Sequence, residues 1–209
     1  MPRDGTATRT RILDAAEHLV IENGYAATSV DQVLADSSTS KGAFFHHFAS
    51  KRELAKALVD RYVEADIAQL RRSLDATDHL TDPAARALGI LRFFEDAADE
   101  IIGAQSNCLY VAVLTERELV VSGTSAEIVR AVSTWRAEIS ALLRQALADR
   151  EHDGLDPEAL ADHLFVTFEG AYLLCRSTGD PGHMRAQLRV FRMLLENVLS
   201  WRSLEAGGD

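Results

Sequence analysis

Apolar positions recur at helical spacing along nearly the whole chain, and breaks in that rhythm divide it into helices. Over residues 8–23, Ile12, Ala15, Ala16, Leu19 and Val20 form one stripe, and Gly24 follows as a C-terminal stop. Residues 1–7 are small and polar and read as a loose arm. Val30, Val33 and Leu34 mark a second, short helix that Thr28 or Ser29 can cap. Ser37, Ser38 and Thr39 then compete for backbone hydrogen bonds and interrupt the pattern. A third helix is predicted over 40–46, too short to stand alone, with Phe44 and Phe48 as its anchor at i and i+4. Ser50-Lys51-Arg52-Glu53 has the form of a capping box. It opens a long helix that carries Leu54, Leu58, Tyr62 and Ala65 on one face to about residue 74.

Residues 75–82, DATDHLTD, read as a hinge-like linker, and Pro83 sits where a helix begins. One helix is predicted over 82–103, with Leu88, Leu91, Phe94, Ala98 and Ile101 on one side. Gln105-Ser106-Asn107 interrupts it, and a helix over 108–121 follows up to the break at Ser122-Gly123-Thr124. Ile128, Val132, Trp135, Ile139, Leu142 and Ala146 then step by fours and threes, a seam for close helix packing. His152-Asp153-Gly154 ends that helix, and Pro157 opens another to about residue 177. A last helix runs from the Gly179–Gly182 turn to near Trp201, before a frayed tail. The expected fold class is all-α.

The short third helix has an apolar back and a thin front of Thr39, Ser40, Lys41, Ala43, His46 and His47, which suits the DNA major groove. Short helix, polar turn, short helix and capped long helix together resemble the N-terminal domain of the TetR (tetracycline-repressor) family. The resemblance is strong over residues 8–62, centred on Ser40-Lys41-Gly42, Phe48 and Lys51-Arg52-Glu53-Leu54. It implies that Ser40, Lys41, Gly42 and Ala43 face the groove and that Phe45, His46 and His47 meet the sugar–phosphate backbone. Phe44 and Phe48 would close the small core. Lys51 would hold a phosphate at the start of the long helix, and Thr28 another at the start of the second. Two positions depart from the family pattern. Ser38 stands where glycine is usual, which is strained if its φ is positive. Phe45 stands where tyrosine is usual, so one hydroxyl contact to phosphate is missing.

With 209 residues, 47% hydrophobic and 26% charged, the chain has the composition of a globular protein of one or two domains. No apolar run is long enough to span a bilayer and no signal-peptide core is present, so a cytoplasmic protein without membrane contact is expected. Cys108 and Cys175 lie in apolar segments and read as buried thiols. The net charge of −10 is unevenly spread. Residues 1–52 hold six Lys/Arg against six Asp/Glu; residues 53–209 hold sixteen against twenty-six. Attraction to phosphate must therefore come from a local patch of Arg3, Arg9, Arg11, Lys41, Lys51 and Arg52, with marked salt dependence.

These observations divide the chain into a helix-turn-helix DNA-binding domain, 1–52, and a helical effector-binding and dimerisation domain, 53–209. Two heads must reach successive major grooves roughly 34–36 Å apart, which favours a homodimer on a palindromic operator. The interface is expected on the last two helices, at Leu164, Phe168, Tyr172, Cys175, Phe191, Leu194, Leu195 and Val198. A body larger than the head requires suggests a pocket for a small, mostly apolar effector. Its candidate lining is Phe93, Phe94, Tyr110, Leu114, Trp135, Phe165, Phe168 and Tyr172, each also explicable as core. Such an effector would favour a conformer that releases DNA, making the protein a ligand-responsive repressor.

Enzyme chemistry finds no support. HExxH, CxxC, P-loop and G-x-S-x-G signatures are lacking. Adjacent His46 and His47 point apart, and Glu95, Asp96, Asp99 and Glu100 read as a solvated face, so no metal or cofactor is expected. Two rival readings stand beside the repressor. One is an all-helical small-molecule-binding or enzymatic protein whose helix-turn-helix is only structural; the other is an activator or ligand-independent regulator.

Overall fold

The computed structural model describes residues 5–104, 109–148 and 155–200. Among them every regular element is an α-helix. In order these are α1 (Gly5–Asn23), α2 (Val30–Asp36), α3 (Lys41–His47), α4 (Lys51–Ala76), α5 (Pro83–Asp96), α6 (Ala98–Ala104), α7 (Leu109–Leu114), α8 (Arg117–Val121), α9 (Ala126–Leu147), α10 (Pro157–Thr178) and α11 (Gly182–Ser200). They pack as two compact units, Met1–Asp66 with Asn107–Ala131 and Ile67–Ser106 with Val132–Asp209. The expected breaks at Gln105–Asn107 and His152–Gly154, together with Arg3, Cys108, Trp201 and the tail, lie outside the described residues.

In the first unit α1 begins at Gly5, so part of the expected loose arm is helical. It buries Ile12, Leu13, Ala15, Ala16 and Val20 and packs against α2 and α3. Gly24 ends it with φ +82°, a left-handed conformation that glycine adopts without steric cost. Arg61 of α4 ties back to α1 through ion pairs with Asp14 and Glu17. The expected helix over 108–121 is instead two. Thr115 turns its hydroxyl onto the Val111 carbonyl (2.8 Å), a local bond that competes with helix continuation, and α8 starts anew after Glu116. α7 packs on α1. The Tyr110 ring meets Tyr62 edge-on (4.9 Å), and its hydroxyl donates to Asp66 (2.8 Å).

The second unit is centred on α5, α10 and α11, where Ile90, Leu91, Phe94, Leu164, Leu188 and Leu195 are buried together. The helix expected over 82–103 bends at Ala97 (ψ 2°), which separates α5 from α6, although its N–H still bonds the Phe93 carbonyl at 3.0 Å. Asp82 caps α5 by accepting from Ala85 N–H (3.0 Å), and Asp156 caps α10 from Glu158 N–H (3.0 Å). Each precedes a proline at the first helical position.

Two expectations fail here for identifiable reasons. The linker is a packed strap rather than a loose hinge. Leu80 N–H bonds the Thr77 carbonyl (3.0 Å), Arg86 reaches Leu74 O and Asp78, and a Cβ on Gly89 would stand 2.9 Å from Leu80 Cδ1. Glu95 is not on a solvated face. Only 6% exposed, it accepts from Arg189 and Arg192 of α11, each at 2.8 Å, while Asp99 pairs with Arg185. Burial pushes the Glu95 carboxyl upward, but the two arginine hydrogen bonds prevail and hold it below the usual carboxylate range.

Candidate nucleic-acid interface

α3 is short, and its ends are fixed by specific bonds. Ser40 at the N-cap accepts from Ala43 N–H (3.2 Å), and the Phe48 N–H closes the far end on the Phe44 carbonyl (2.9 Å). Phe44 is fully buried and Phe48 nearly so, their ring centroids 5.8 Å apart, with the Arg9 guanidinium 5.4 Å above Phe48. The turn before α3 is tightly bonded. Ser37 and Thr39 hydroxyls meet at 2.7 Å, and Thr39 N–H returns to the Leu34 carbonyl (3.0 Å). Ser38 has φ +51°, the strained conformation anticipated for a serine in glycine's place.

With its back so anchored, α3 turns Ser40, Lys41, Gly42, Phe45 and His46 to the outside, with Thr39, Ala43 and His47 half-buried at the margins. Gly42 is informative. A Cβ there would meet nothing within 4 Å, so no contact among the described residues requires a glycine. Glycine inside a helix costs about 0.5–1 kcal/mol relative to alanine, and here that cost has no internal return.

The two expected phosphate ligands flanking α3 sit differently. Thr28 is 3% exposed, with its hydroxyl given to the Gly24 carbonyl (2.9 Å). The cap of α2 is Ser29, in a reciprocal box with Gln32: Ser29 N–H donates to Gln32 Oε1 (2.7 Å) and Gln32 N–H to Ser29 Oγ (3.2 Å). Ser50 accepts from Glu53 N–H (3.2 Å) at the start of α4. Lys51 is drawn inward: its ammonium lies 4.1 Å from the Tyr25 ring centroid and donates to the Ala26 carbonyl (3.4 Å). Burial lowers its pKa, while Glu118 and Glu116 oppose that shift.

The families settle what this head belongs to. The model for bacterial regulatory proteins of the tetR family matches residues 12–58, and that for the tetracyclin repressor-like C-terminal domain matches residues 83–191. The chain belongs to the TetR family. It is thus a DNA-binding transcriptional regulator and not an enzyme, which removes the reading in which the helix-turn-helix is only structural. Among curated relatives, the transcriptional regulator AcuR of Cereibacter sphaeroides is 28% identical over 91% of this chain and 85% of its own. The regulator UidR of Escherichia coli is 33% identical over 39% of this chain and 41% of its own. Among solved structures, a regulatory protein TetR from Rhodobacter sphaeroides superposes with TM-score 0.71 at 26% identity, covering 88% of this chain and 96% of that one.

Away from the head, the structure divides the expected effector lining. Tyr110 and the exposed Leu114 belong to the first unit; Phe93, Phe94, Trp135, Phe165, Phe168 and Tyr172 belong to the second. Phe94 is fully buried, with Phe93, Trp135 and Phe168 rings 5.2–5.3 Å away. The buried Trp135 indole N–H has no acceptor among the described residues.

The eight residues expected at an interface differ in exposure. Leu164, Cys175, Phe191 and Leu195 are committed to the core of the second unit, and Phe168, Tyr172 and Val198 are half-buried. What α10 and α11 turn outward is Val166, Leu173, Leu174, Val190, Met193 and Leu194, of which only Leu194 was expected. Helical periodicity shows that both helices are apolar on several faces, but not which face the protomer covers itself. Between these helices lies an open groove with Phe191 and Leu194 among its walls.

Proposed function

We propose that the protein is a cytoplasmic repressor that binds a palindromic operator as a homodimer and is released by a small, mostly apolar effector. Residues 1–52 read DNA, and residues 53–209 bind the effector and form the dimer. The observation that carries the reading is the bare front of α3. Gly42 leaves its surface open without internal cause, beside exposed Lys41, Ser40 and His46 and over a fully buried Phe44. A backbone without a side chain admits a base edge or phosphate at close range.

Ser40, Lys41, Gly42 and Ala43 then face the groove, with Thr39, Phe45, His46 and His47 along its walls. Lys51 serves a phosphate from its place beside Ala26, since its ammonium has further N–H donors to give. Thr28 acts by holding the α1–α2 turn, since its hydroxyl is already bonded. The outward apolar residues of α10 and α11 support the dimer, because a monomer gains nothing from keeping them wet. The aromatic group around Phe94 supports an apolar effector, and the unpaired Trp135 N–H suits one that carries an acceptor. Selection from a random duplex pool at low ionic strength tests the central claim. A two-fold symmetric consensus is expected, bound by a dimer in sedimentation; recovery of no sequence preference refutes it. A promoter assay in a deletion strain, showing raised transcription, separates repressor from activator.

A further inference from the structure

Lys51 is the expected phosphate ligand whose charged group the structure finds already engaged, and the bonds around it involve a segment far from the head in sequence. The backbone of Ala26 lies between two opposite charges. Its N–H donates to Glu116 Oε1 (3.2 Å), and its carbonyl accepts from Lys51 Nζ (3.4 Å). Glu116 stands at the N-cap of α8 and makes no side-chain bond to its own helix. Its carboxylate goes instead to a turn 90 residues earlier in the chain. The same oxygen lies 3.8 Å from where a Cβ on Gly24 would be, so it sits directly against the turn that ends α1. Tyr25, 3% exposed, supplies the ring beneath the lysine. Two side chains, from α4 and the α7–α8 corner, thus clamp the backbone of one residue in the α1–α2 turn.

We infer that Glu116 is a positioning residue for DNA binding: by holding Ala26 against Lys51 it fixes where the phosphate-seeking start of α4 stands relative to α1 and α2. This rests on the reading of Lys51 as a phosphate ligand, and it gives the α7–α8 segment a part in setting DNA affinity. Since Lys51 addresses backbone phosphate and not bases, the effect is uniform across sequences.

The test uses full-length protein, the duplex that wild-type protein selects from a random pool, and a mixed-sequence duplex of equal length. Glu116→Ala removes the acceptor; Glu116→Gln keeps an oxygen acceptor for Ala26 N–H and removes the charge. Glu116→Ala is expected to weaken both duplexes by the same factor, roughly threefold to tenfold, as one hydrogen bond's worth of position is lost. Glu116→Gln is expected to restore wild-type affinity or exceed it, because the amide holds the turn without competing for Lys51. In a double-mutant cycle the Glu116→Ala effect should shrink in a Lys51→Ala background. Unchanged binding by Glu116→Ala, equal loss in both Glu116 variants, or full additivity with Lys51→Ala would each overturn the inference. A lowered melting temperature with unaltered affinity would show a purely structural contact and overturn it too. If wild-type protein selects no duplex, the DNA-binding reading itself fails, an outcome distinct from all of these.

Discussion

Two helices of this chain present surfaces that its own core leaves uncovered, and they do so with opposite chemistry. α3 shows serine, lysine, a bare glycine and histidine; α11 shows Val190, Met193 and Leu194. Behind these fronts both helices are anchored alike, α3 by Phe44 and Phe48, α11 by Leu188, Phe191 and Leu195. The backs explain the fold, and the fronts identify partners. A polar, cationic front is suited to a phosphate-lined groove, whereas an apolar one is suited to another apolar surface, which the proposed function takes to be a second copy of the chain.

The sharpest way to break the contrast is from behind. Phe44→Ala empties the fully buried site beneath α3 and is expected to cost about 3–5 kcal/mol in chemical denaturation, with DNA binding lost through the head. Next comes the anchor of α11. Glu95→Ala leaves Arg192, mostly buried, with only Glu196 at 3.5 Å and is expected to cost about 2–3 kcal/mol, below the roughly 3–5 of a broken buried pair because Arg189 is half in water. The sign with pH follows from the depressed pKa. The contribution of Glu95 is complete above the unfolded carboxyl value and fades as pH falls through the lower folded one. Wild-type protein should therefore lose more stability than Glu95→Gln across that acid window; equal losses would show that the pair does not matter.

Changes to the fronts should act on partners more than on folding. Leu194→Glu adds charge to the exposed α11 surface and is expected to yield monomers in sedimentation with protomer helicity retained. A dimer of unchanged strength would put the interface elsewhere. Gly42→Ala gives the smallest and most telling effect: stability should rise by about 0.5–1 kcal/mol while affinity for the selected duplex falls. If both improve, nothing approaches that backbone closely.

Much of the head was legible because its signals are local. The Ser50 cap, the stop at Gly24 and the i, i+4 pair Phe44–Phe48 all lie within a few residues of what they determine. The positive φ at Ser38 followed from the family pattern alone. What sequence did not disclose depends on distant partners. Leu13 is buried though it lies outside the expected stripe, on a helix that packs against α2, α3 and α7. Glu95 looked solvated because its arginines stand 94 and 97 residues away. Glu116 reaches Ala26 across a similar distance, and no periodicity registers such a bond. On α10 and α11 the pattern identified apolar helices correctly, but Leu164 inside and Val166 outside look alike in a list of hydrophobic residues.

The strap over α5 has a practical consequence for anyone exchanging modules among such regulators. Thr77 and Leu80 lie so close to Gly89 that any side chain there must displace them. A chimera that borrows the second unit should take residues 77–89 as one cassette, since a junction inside it would pair a foreign loop with a helix shaped for this one.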